Sequence, residues 1–406
     1  MSHGSGSDGG SGSDGGSGSD GGSGSDGGSG SSGGGTAGLR LIDHHVHGVV
    51  TEELDAAGVE FLLSESSAPP PPGTSFFDSA LGFVVRRWCA PVLDLEPLAP
   101  APVYLRRRLE LGSTEVSRRL LTAAAMGLWL VDTGYQSDAV ATPAELAELS
   151  GSPAREVVRL ESIAERVARA GGSAALFGAD VEAAVQQAVA DGAVGFKSIA
   201  AYRGGLSFDP ARPDPAEVLA AADRWYAAAA SGARVEDQVL IRQLIWTALD
   251  AGLPVQLHTG YGDTDSRLHR SDPALLHDFL LASQPTGTPV MLLHCYPYHR
   301  QAGALAALFP HVYMDVGVAL NHVGARSAVI LAEALELTPF HKMLYSSDAF
   351  GLPELHYLGA IGFRRDIERV TGGYVASGDW SAADAARVAE LIGSGNADRV
   401  YRLDQR

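Results

Sequence analysis

Three histidines stand within four positions of the stretch LRLIDHHVHG, which covers residues 39–48. Side chains alternate between the two faces of an extended strand, so His45 and His47 should share one face, while His44 and Val46 should point to the other. Two imidazoles on one face are able to bind the same metal ion. Such a pair also arises by chance, so taken alone it leaves a structural role open.

Further polar residues follow apolar runs later in the chain. His258 ends the run LPVQLH, His294 ends VMLLH, and Asp348 follows MLYSS. One histidine at a strand end is usually a buried structural or capping residue, but separate accidents do not explain the same placement on several strands. The carboxyl ends of barrel strands converge on one mouth, where catalytic groups lie. Imidazoles with a carboxylate suit Zn²⁺, with Mn²⁺ or Fe²⁺ as alternatives.

A lysine at the end of the predicted fourth strand is the next candidate. Lys197 lies in VGFKSIAAYRGG, and Lys342 is the other lysine among 30 basic residues. A buried amine loses its proton more readily than a guanidinium, and it can then act as a nucleophile or form with CO₂ a carbamate that bridges two metals. An ammonium that binds a substrate carboxylate and a structural ion pair are the alternatives.

Two loops that follow strands contain candidate substrate-binding residues. Tyr202 and Arg203 come shortly after Lys197, and an arginine fork matches a substrate carboxylate, although a surface salt bridge explains Arg203 nearly as well. The loop after the fifth strand contributes Tyr261 and Asp263. We expect both loops to shape the end of the site that receives the substrate.

Eight short apolar runs are predicted as buried strands, and helical spacing separates most of them. The runs are residues 39–43, 128–132, 157–161, 194–199, 254–258, 290–294, 312–315 and 343–347. This alternation indicates the α/β class with a parallel sheet, and eight units that close on themselves form a (β/α)₈ TIM-like barrel. An open doubly wound sheet is the alternative, but the folded part has no GxGxxG or GxxxxGK[ST] phosphate loop.

The chain divides into a tail and one large domain. Residues 1–36 repeat Ser-Gly-Ser-Asp-Gly-Gly, which predicts a flexible coil, either an expression linker or a natural low-complexity tail. Residues 37–406 should form the barrel, with a helical insertion at about 50–126 after the first strand. Loops after barrel strands surround the active site, so we expect this insertion to form a cap or a contact in a homo-oligomer.

Composition limits the classes of partner. The net charge of −18 argues against nucleic acid and anionic membranes, because both require a basic patch. A small-molecule substrate is expected instead. The two cysteines, Cys89 and Cys295, are far apart in apolar surroundings, and no signal peptide is evident, which indicates a reduced, cytoplasmic setting. No apolar run reaches the roughly 18 residues of a membrane-spanning helix.

The motifs together resemble the amidohydrolase superfamily of metal-dependent (β/α)₈ barrels over residues 39–403. The resemblance rests on Asp-x-His-x-His at 43–47, on Lys197, on His258 and His294, and on Asp348. The stretches GFKSIAAYRGGL, QLHTGYGDTD, LLHCYPYHRQAG and IGSGNADRVYRL are similar to amidohydrolase domains related to the amino-terminal half of the fungal protein FluG.

The resemblance implies a site for one or two divalent metal ions, with Zn²⁺ as the first expectation. The implied metal ligands are His45, His47, His258, His294, Asp348 and Lys197. A metal-bound water has a pKa of about 7 instead of about 15.7 and supplies hydroxide. Asp348 would take the proton of this water and pass it to a departing amine. His294 would bind a second metal or polarise the carbonyl oxygen, and a carbamylated Lys197 would bridge two metals.

The expected reaction is hydrolysis of a C–N bond, such as an amide of an amino-acid-like or γ-glutamyl-like compound. The γ-glutamyl group is suggested by members of this branch that are fused to a glutamine-synthetase-like domain. A nonoxidative decarboxylase of the same superfamily is the alternative, but such relatives generally lack a lysine on strand four. A catalytically silent metal-binding module is a third hypothesis, which the complete ligand set disfavours.

Overall fold

The computed structural model describes residues 36–136, 138–229 and 232–405. The predicted tail therefore lies outside the described residues, apart from its last position, Thr36. Within the described ranges, the predicted α/β architecture is confirmed as a curled, all-parallel sheet surrounded by helices.

Seven strands in the described residues pair in chain order, each parallel to the next. They are β1 (Ile42–Val46), β2 (Leu128–Asp132), β3 (Ala154–Arg159), β4 (Gly195–Ser198), β5 (Val255–His258), β6 (Val290–Leu293) and β7 (Val312–Met314). A doubly wound sheet reverses its strand order part-way across, so this sequential order excludes the alternative fold.

Five α-helices lie between β1 and β2, a segment that is described throughout. They are α1 (Ala56–Phe61), α2 (Ala80–Val84), α3 (Ala90–Val92), α4 (Ala101–Leu111) and α5 (Ser113–Ala124), with a π-helical turn (Val85–Cys89) joining α2 to α3. A buried ion pair attaches α4 to the rest of the domain: Arg108 Nε donates to a carboxylate oxygen of Glu354 at 2.8 Å, and the Tyr104 hydroxyl donates to the same oxygen at 2.9 Å.

The remaining α-helices follow β2 and the later strands. They are α6 (Pro143–Ser150), α7 (Leu160–Arg169), α8 (Phe177–Ala190), α9 (Pro215–Ala229), α10 (Gln238–Asp250), α11 (His277–Ser283), α12 (His299–Leu308), α13 (Gly317–His322), α14 (Ser327–Ala334), α15 (Pro353–Ala376), α16 (Ala382–Glu390) and α17 (Asn396–Tyr401). A π-helical turn (Leu391–Gly395) joins α16 to α17. Single 3₁₀ turns are Thr36–Gly38, Ala174–Leu176, Ala200–Arg203, Leu268–Arg270, Pro273–Leu276, Gln284–Thr286, Gly324–Arg326, Phe340–Lys342 and Leu403–Gln405.

Local sequence explains several of these boundaries. Helix α6 begins with a capping box, in which Thr142 accepts from the Glu145 amide at 3.3 Å and Glu145 accepts from the Thr142 amide at 2.8 Å. Strand β3 starts three residues earlier than predicted, at Ala154. Its first part carries the polar residues Arg155 and Glu156, which a search for apolar runs does not detect.

The predicted eighth strand is an irregular segment, residues 343–351, that closes the sheet. The Leu344 amide donates to the Met314 carbonyl of β7 at 3.0 Å, and the Asp348 amide donates to the His45 carbonyl of β1 at 3.1 Å. The segment is thus hydrogen-bonded to the first and the last strand, which are the two edges of the sheet.

Two features keep this closing segment from forming a regular strand. Asp348 has a φ of 51°, in the left-handed region that extended chains do not use. The Ser347 amide donates to the Asp43 carboxylate at 3.0 Å instead of to a backbone carbonyl. The prediction of eight strands is therefore corrected to seven strands and an irregular closing segment.

An apolar cluster fills the inside of the barrel, and we call it the inner core. Its buried members are Ile42, Leu128, Leu130, Val157, Val194, Met291, Leu293, Tyr313, Leu344, Ala397, Val400 and Tyr401. Ile42 and Leu128 are the first residues of their strands, so the three members from α17 cover the amino-terminal end of the barrel. The opposite, carboxyl-terminal end is left for other side chains.

None of the helices in the described residues is both long and apolar enough to span a bilayer.

Candidate metal centre

The side chains predicted as metal ligands come together at the carboxyl-terminal end of the barrel. They are His45 in β1, His47 directly after β1, Lys197 in β4, His258 at the end of β5, His294 directly after β6, and Asp348 in the closing segment. The five basic side chains are buried, and the Asp348 side chain is 15% exposed.

The Asp348 carboxylate is the centre of the group. One oxygen lies 3.1 Å from His45 Nε2 and 3.7 Å from His47 Nε2, and the other lies 3.2 Å from His294 Nδ1. One carboxylate thus contacts three imidazoles that are carried by two different strands of the barrel.

The His258 ring completes the group. Its centroid is 4.6 Å from that of His294, and its Nε2 atom is buried without a hydrogen-bond partner among the described residues. A buried polar atom that lacks a partner costs about 1–3 kcal/mol, and beside three other imidazoles and a carboxylate a metal ion would remove this cost.

The hydrogen bond of His47 shows which of its nitrogens faces the group. Its Nδ1 donates to the Asp132 carbonyl at 3.1 Å, so in the neutral ring the Nε2 lone pair points towards Asp348. A lone pair and a carboxylate that face each other repel unless a proton or a metal ion lies between them. This arrangement and the unpaired Nε2 of His258 fit a divalent metal ion with mixed nitrogen and oxygen ligands.

Burial lowers the pKa of the four imidazoles. The pKa of His47 falls to about 4, and burial holds the pKa of His45, His258 and His294 well below the ordinary histidine value. All four rings are therefore neutral at pH 7, which is the form of imidazole that binds metals.

Burial also shifts the two remaining groups towards neutrality. It raises the pKa of Asp348 to about 6 and lowers the pKa of Lys197 to about 8. Lys197 Nζ lies 3.1 Å from His45 Nε2. An amine with a pKa near 8 exists partly in its unprotonated, nucleophilic form close to physiological pH.

Asp132, the last residue of β2, is a candidate ligand that the sequence analysis missed. Potential ligand atoms of His45, His47 and Asp132 all lie within 4.8 Å of one another, as do those of His45, His294 and Asp348. Although burial raises the pKa of Asp132, the Arg159 guanidinium, 2.5 Å away, holds it below the ordinary value. The sequence does contain a pattern that identifies Asp132, because this residue ends the apolar run LWLVD just as His258 ends LPVQLH.

The His44 side chain does not point away from the other candidate ligands, which corrects the prediction from strict alternation. The pairing of β1 with β2 shifts register between Asp43 and Val46, so the alternation is interrupted at the histidines. His44 Nε2 lies 3.0 Å from an Asp315 carboxylate oxygen, and the other oxygen of that carboxylate accepts from the His294 amide at 2.8 Å.

The backbone is strained at two of the candidate ligands. His294 has a φ of 68°, Cys295 after it has a φ of 55°, and Asp348 has a φ of 51°. Left-handed backbone at such residues costs about 1–3 kcal/mol each and is concentrated at functional sites.

Of the predicted substrate-binding residues, Tyr202 contacts a candidate metal ligand. The Tyr202 ring lies 4.5 Å from the His258 ring, and the Tyr261 ring lies 5.7 Å from the ring of His322. The pKa of the Tyr202 phenol is raised first by burial and then by the negative charge of Asp263. Tyr202 is thus next to His258 and is acted on by the charge of Asp263, whereas Tyr261 contacts His322, which is not a candidate ligand.

The fourth residue, Arg203, has different neighbours. Its Nε atom is buried without a hydrogen-bond partner among the described residues. Burial lowers its pKa, and the opposing charges that act on it are those of Glu161 and Glu165 of α7 and of Glu236. The structure thus places this guanidinium beside α7, whereas Tyr202 faces His258.

Glu65, from the segment between β1 and β2, is a further residue that the sequence analysis did not single out. Its carboxylate lies 3.7 Å from His322 Nε2. Burial raises its pKa, and the charges of Asp348 and Asp263 act in the same direction. It belongs to an irregular stretch between α1 and α2, where no periodic pattern indicates which way a side chain faces.

A sequence profile of the amidohydrolase family matches residues 132–403. The chain belongs to the amidohydrolase family. The resemblance noted in the sequence is thereby confirmed, and it extends to the fungal protein: this amidohydrolase is 37% identical to protein fluG of Emericella nidulans over 242 residues. That match covers 56% of this chain and 28% of the length of fluG.

Solved structures resemble this amidohydrolase over most of its length. A protein of Lactobacillus casei that is provisionally described as a metal-dependent hydrolase superimposes with a TM-score of 0.79 at 28% identity, covering 91% of this chain and 97% of that protein. The glucuronate isomerase of Caulobacter crescentus gives a TM-score of 0.60 at 15% identity, with 91% and 92% covered. The uronate isomerase of Thermotoga maritima gives 0.57 at 12%, with 90% and 95% covered. At these identities the isomerases share the fold alone.

Proposed function

We propose that this amidohydrolase hydrolyses a C–N, amide-like bond of a small molecule with the help of one or two divalent metal ions. The observation that carries the proposal is the Asp348 carboxylate, which contacts His45, His47 and His294. In this proposal those histidines, His258 and Asp348 hold the metal. Asp132 is added to the candidate ligands because it shares a group with His45 and His47.

The metal and the protein have separate tasks. When bound, a divalent ion such as Zn²⁺, Mn²⁺ or Fe²⁺ acidifies water and polarises a carbonyl oxygen. Asp348, whose pKa burial raises to about 6 in the metal-free site, accepts the proton of the attacking water. The same carboxyl then donates this proton to the departing amine. His294, whose Nδ1 lies 3.2 Å from Asp348, is positioned to polarise the carbonyl oxygen or to bind a second ion.

Lys197 has two candidate tasks in this proposal. As a carbamate it would bridge two metal ions, and as an amine 3.1 Å from His45 it would bind a carboxylate of the substrate. Anomalous scattering at the metal edge counts the ions, and electron density beyond Nζ distinguishes the carbamate from the amine.

The surroundings of the metal centre suit a small polar substrate. In this proposal Tyr202, which contacts His258, binds the amino-acid-like or γ-glutamyl-like amide together with Tyr261 and Asp263 of the loop after β5. A cytoplasmic location is proposed as well, because Cys89 and Cys295 are buried free thiols.

The test combines metal analysis with a panel of amides. Purified protein should contain at least one equivalent of a divalent metal and should release amine from a member of the panel. His258→Ala should lose metal and activity without unfolding. His277→Ala, which removes an exposed histidine of α11, should change neither. An unmodified protein that takes up no metal after supplementation, or one that holds metal but hydrolyses no amide, would overturn the proposal.

A further inference from the structure

A buried chain of hydrogen bonds connects the candidate metal centre to helix α17 at the far end of the barrel. The Gln256 amide nitrogen donates to the Tyr401 hydroxyl at 2.8 Å and to the His44 carbonyl at 2.7 Å. The Gln256 carbonyl oxygen lies 2.8 Å from His45 Nδ1. All these groups are at most 1% exposed.

The partners of Gln256 fix the orientation of its side chain. A main-chain carbonyl only accepts hydrogen bonds, so the group that faces the His44 carbonyl must be the amide nitrogen. The amide oxygen then faces His45, and His45 Nδ1 must be the donor. The neutral His45 ring therefore carries its proton on Nδ1, and its Nε2 lone pair points towards Lys197 and Asp348.

The same reasoning applies on the other side of the Tyr401 hydroxyl. Its oxygen lies 3.0 Å from His44 Nδ1, and His44 Nε2 lies 3.0 Å from the Asp315 carboxylate. The carboxylate accepts, so Nε2 of a neutral His44 donates and Nδ1 accepts the phenol proton. The hydrogen bonds thus run from Asp315 through His44, Tyr401 and Gln256 to His45. Each donated proton in this chain has its own acceptor.

We propose that Tyr401 is a positioning residue for the metal centre: its hydroxyl proton goes to His44 Nδ1, so its oxygen accepts from the Gln256 amide and, together with the His44 carbonyl, holds the Gln256 carbonyl oxygen on His45 Nδ1. This contact fixes the tautomer and the ring orientation of His45. This inference rests on the proposed function in so far as His45 is a metal ligand. Groups that hydrogen-bond to the far nitrogen of a metal-binding histidine determine which nitrogen is available to the metal, and removing them typically weakens metal binding 10- to 100-fold.

A purely structural role for Tyr401 is the opposing hypothesis, because its ring also belongs to the inner core. The chain offers a matched control. Tyr345 is buried as well, at 2% exposed, but its hydroxyl has no hydrogen-bond partner among the described residues. Replacing either tyrosine by phenylalanine removes one buried hydroxyl and keeps the aromatic ring.

Zn²⁺ affinity, measured by competition with a chromophoric chelator, separates the two roles. We expect Tyr401→Phe to raise the dissociation constant about 10- to 100-fold and Tyr345→Phe to change it less than about 3-fold. Gln256→Leu removes the direct partner of His45 and should weaken binding at least as much as Tyr401→Phe. Equal affinities for Tyr401→Phe and Tyr345→Phe would overturn the inference.

Two-bond ¹H–¹⁵N NMR spectra of ¹⁵N-histidine-labelled, metal-free protein provide a second readout, and its first part uses the unmodified protein. Unmodified protein should show His45 protonated on Nδ1, and Tyr401→Phe should shift its signals towards a mixture of tautomers. His45 protonated on Nε2 in the unmodified protein would contradict the inference. An unmodified protein that binds no Zn²⁺ would instead contradict the proposed function, and the tautomer measurement would still test the hydrogen-bond chain.

Discussion

The two ends of the barrel interior are built from opposite kinds of side chain. At the carboxyl-terminal end, neutral imidazoles surround the Asp348 carboxylate, and backbone at His294 and Asp348 is held in the left-handed region. At the amino-terminal end, apolar side chains such as Ile42 and Leu128 pack against α17. Tyr401 contributes to both ends. Its ring packs in the inner core, and its hydroxyl accepts a hydrogen bond from Gln256, which contacts His45.

This contrast shows how the fold separates stability from chemistry. Burying a large apolar side chain contributes about 1.5–3 kcal/mol, whereas left-handed backbone at a non-glycine residue costs about 1–3 kcal/mol. The unpaired Nε2 of His258 adds a further cost at the polar end. The free energy gained by apolar packing at one end therefore offsets the cost of strained backbone and an unpaired nitrogen at the other. Substitutions at the apolar end should mainly change stability, and substitutions at the polar end should mainly change activity.

The largest effect is expected at the polar end. Asp348→Asn keeps the shape of the side chain but removes the group that accepts and donates the proton, so kcat should fall about 10²- to 10⁴-fold. The unfolding free energy should not fall, because a buried carboxyl whose pKa is raised is replaced by a neutral amide. Steady-state kinetics and urea unfolding measure the two quantities.

Asp265→Asn is the control for this substitution, since the Asp265 side chain is 59% exposed and forms its ion pair with the exposed Arg234. It should leave kcat unchanged. If Asp348→Asn retained the turnover of the unmodified protein, the carboxylate could not be the proton carrier.

The next effect is expected in the inner core. Met291 of β6 is fully buried, and Met291→Ala should lower the unfolding free energy by about 2–5 kcal/mol through lost burial and a cavity. Below the unfolding temperature, kcat per folded molecule should stay within about twofold. A large loss of kcat with unchanged stability would show that the inner core takes part in the chemistry of the polar end.

Acid should destabilise the metal-free protein through the polar end. The pKa of His47 is about 4 in the folded protein and 6.5 in the unfolded chain, so between these values only the unfolded chain binds the proton. Stability contributed by the neutral ring is therefore complete above pH 6.5, and it decreases by about 1.4 kcal/mol per pH unit as the pH falls towards 4.

Unfolding free energies at several pH values with a chelator present test this expectation. The pH slope of His47→Gln near pH 5 should be smaller than that of the unmodified protein by about 1.4 kcal/mol per unit. Parallel slopes for the two proteins would mean that His47 is protonated in the folded state as well.

The smallest effect is expected at the edge of the site. Asp263 is half-buried, and a partly exposed charge contributes about 1 kcal/mol or less, so Asp263→Asn should change KM by at most about fivefold. Zn²⁺ affinity should not change, since Asp263 is outside both groups of potential ligands. A loss of Zn²⁺ affinity would extend the metal centre beyond the strand ends.

Sequence patterns were sufficient for the parts of the site that depend on local order. An apolar run that ends in a polar residue is visible within five or six positions, and the placement of such residues at one end follows from a parallel sheet. His258, His294 and Asp348 were identified in this way, and Asp132 follows the same rule. The α/β class followed from the alternation of runs and helical spacing.

The remaining features depend on contacts between distant parts of the chain. Gln256 lies 211 positions from His45, and Tyr401 lies 145 positions from Gln256, so no local pattern relates them. The register shift in β1 brings the His44 side chain to Asp315, and a rule of strict alternation does not predict this contact.

The sequence by itself therefore determined which residue types stand at the carboxyl ends of the strands, because strand burial and strand ends are encoded over a few neighbouring residues. Only the tertiary structure decided which nitrogen of His45 faces Asp348 and which residues hold it there. A hydrogen bond constrains its partners over about 3 Å, and only closure of the barrel brings these groups within that distance.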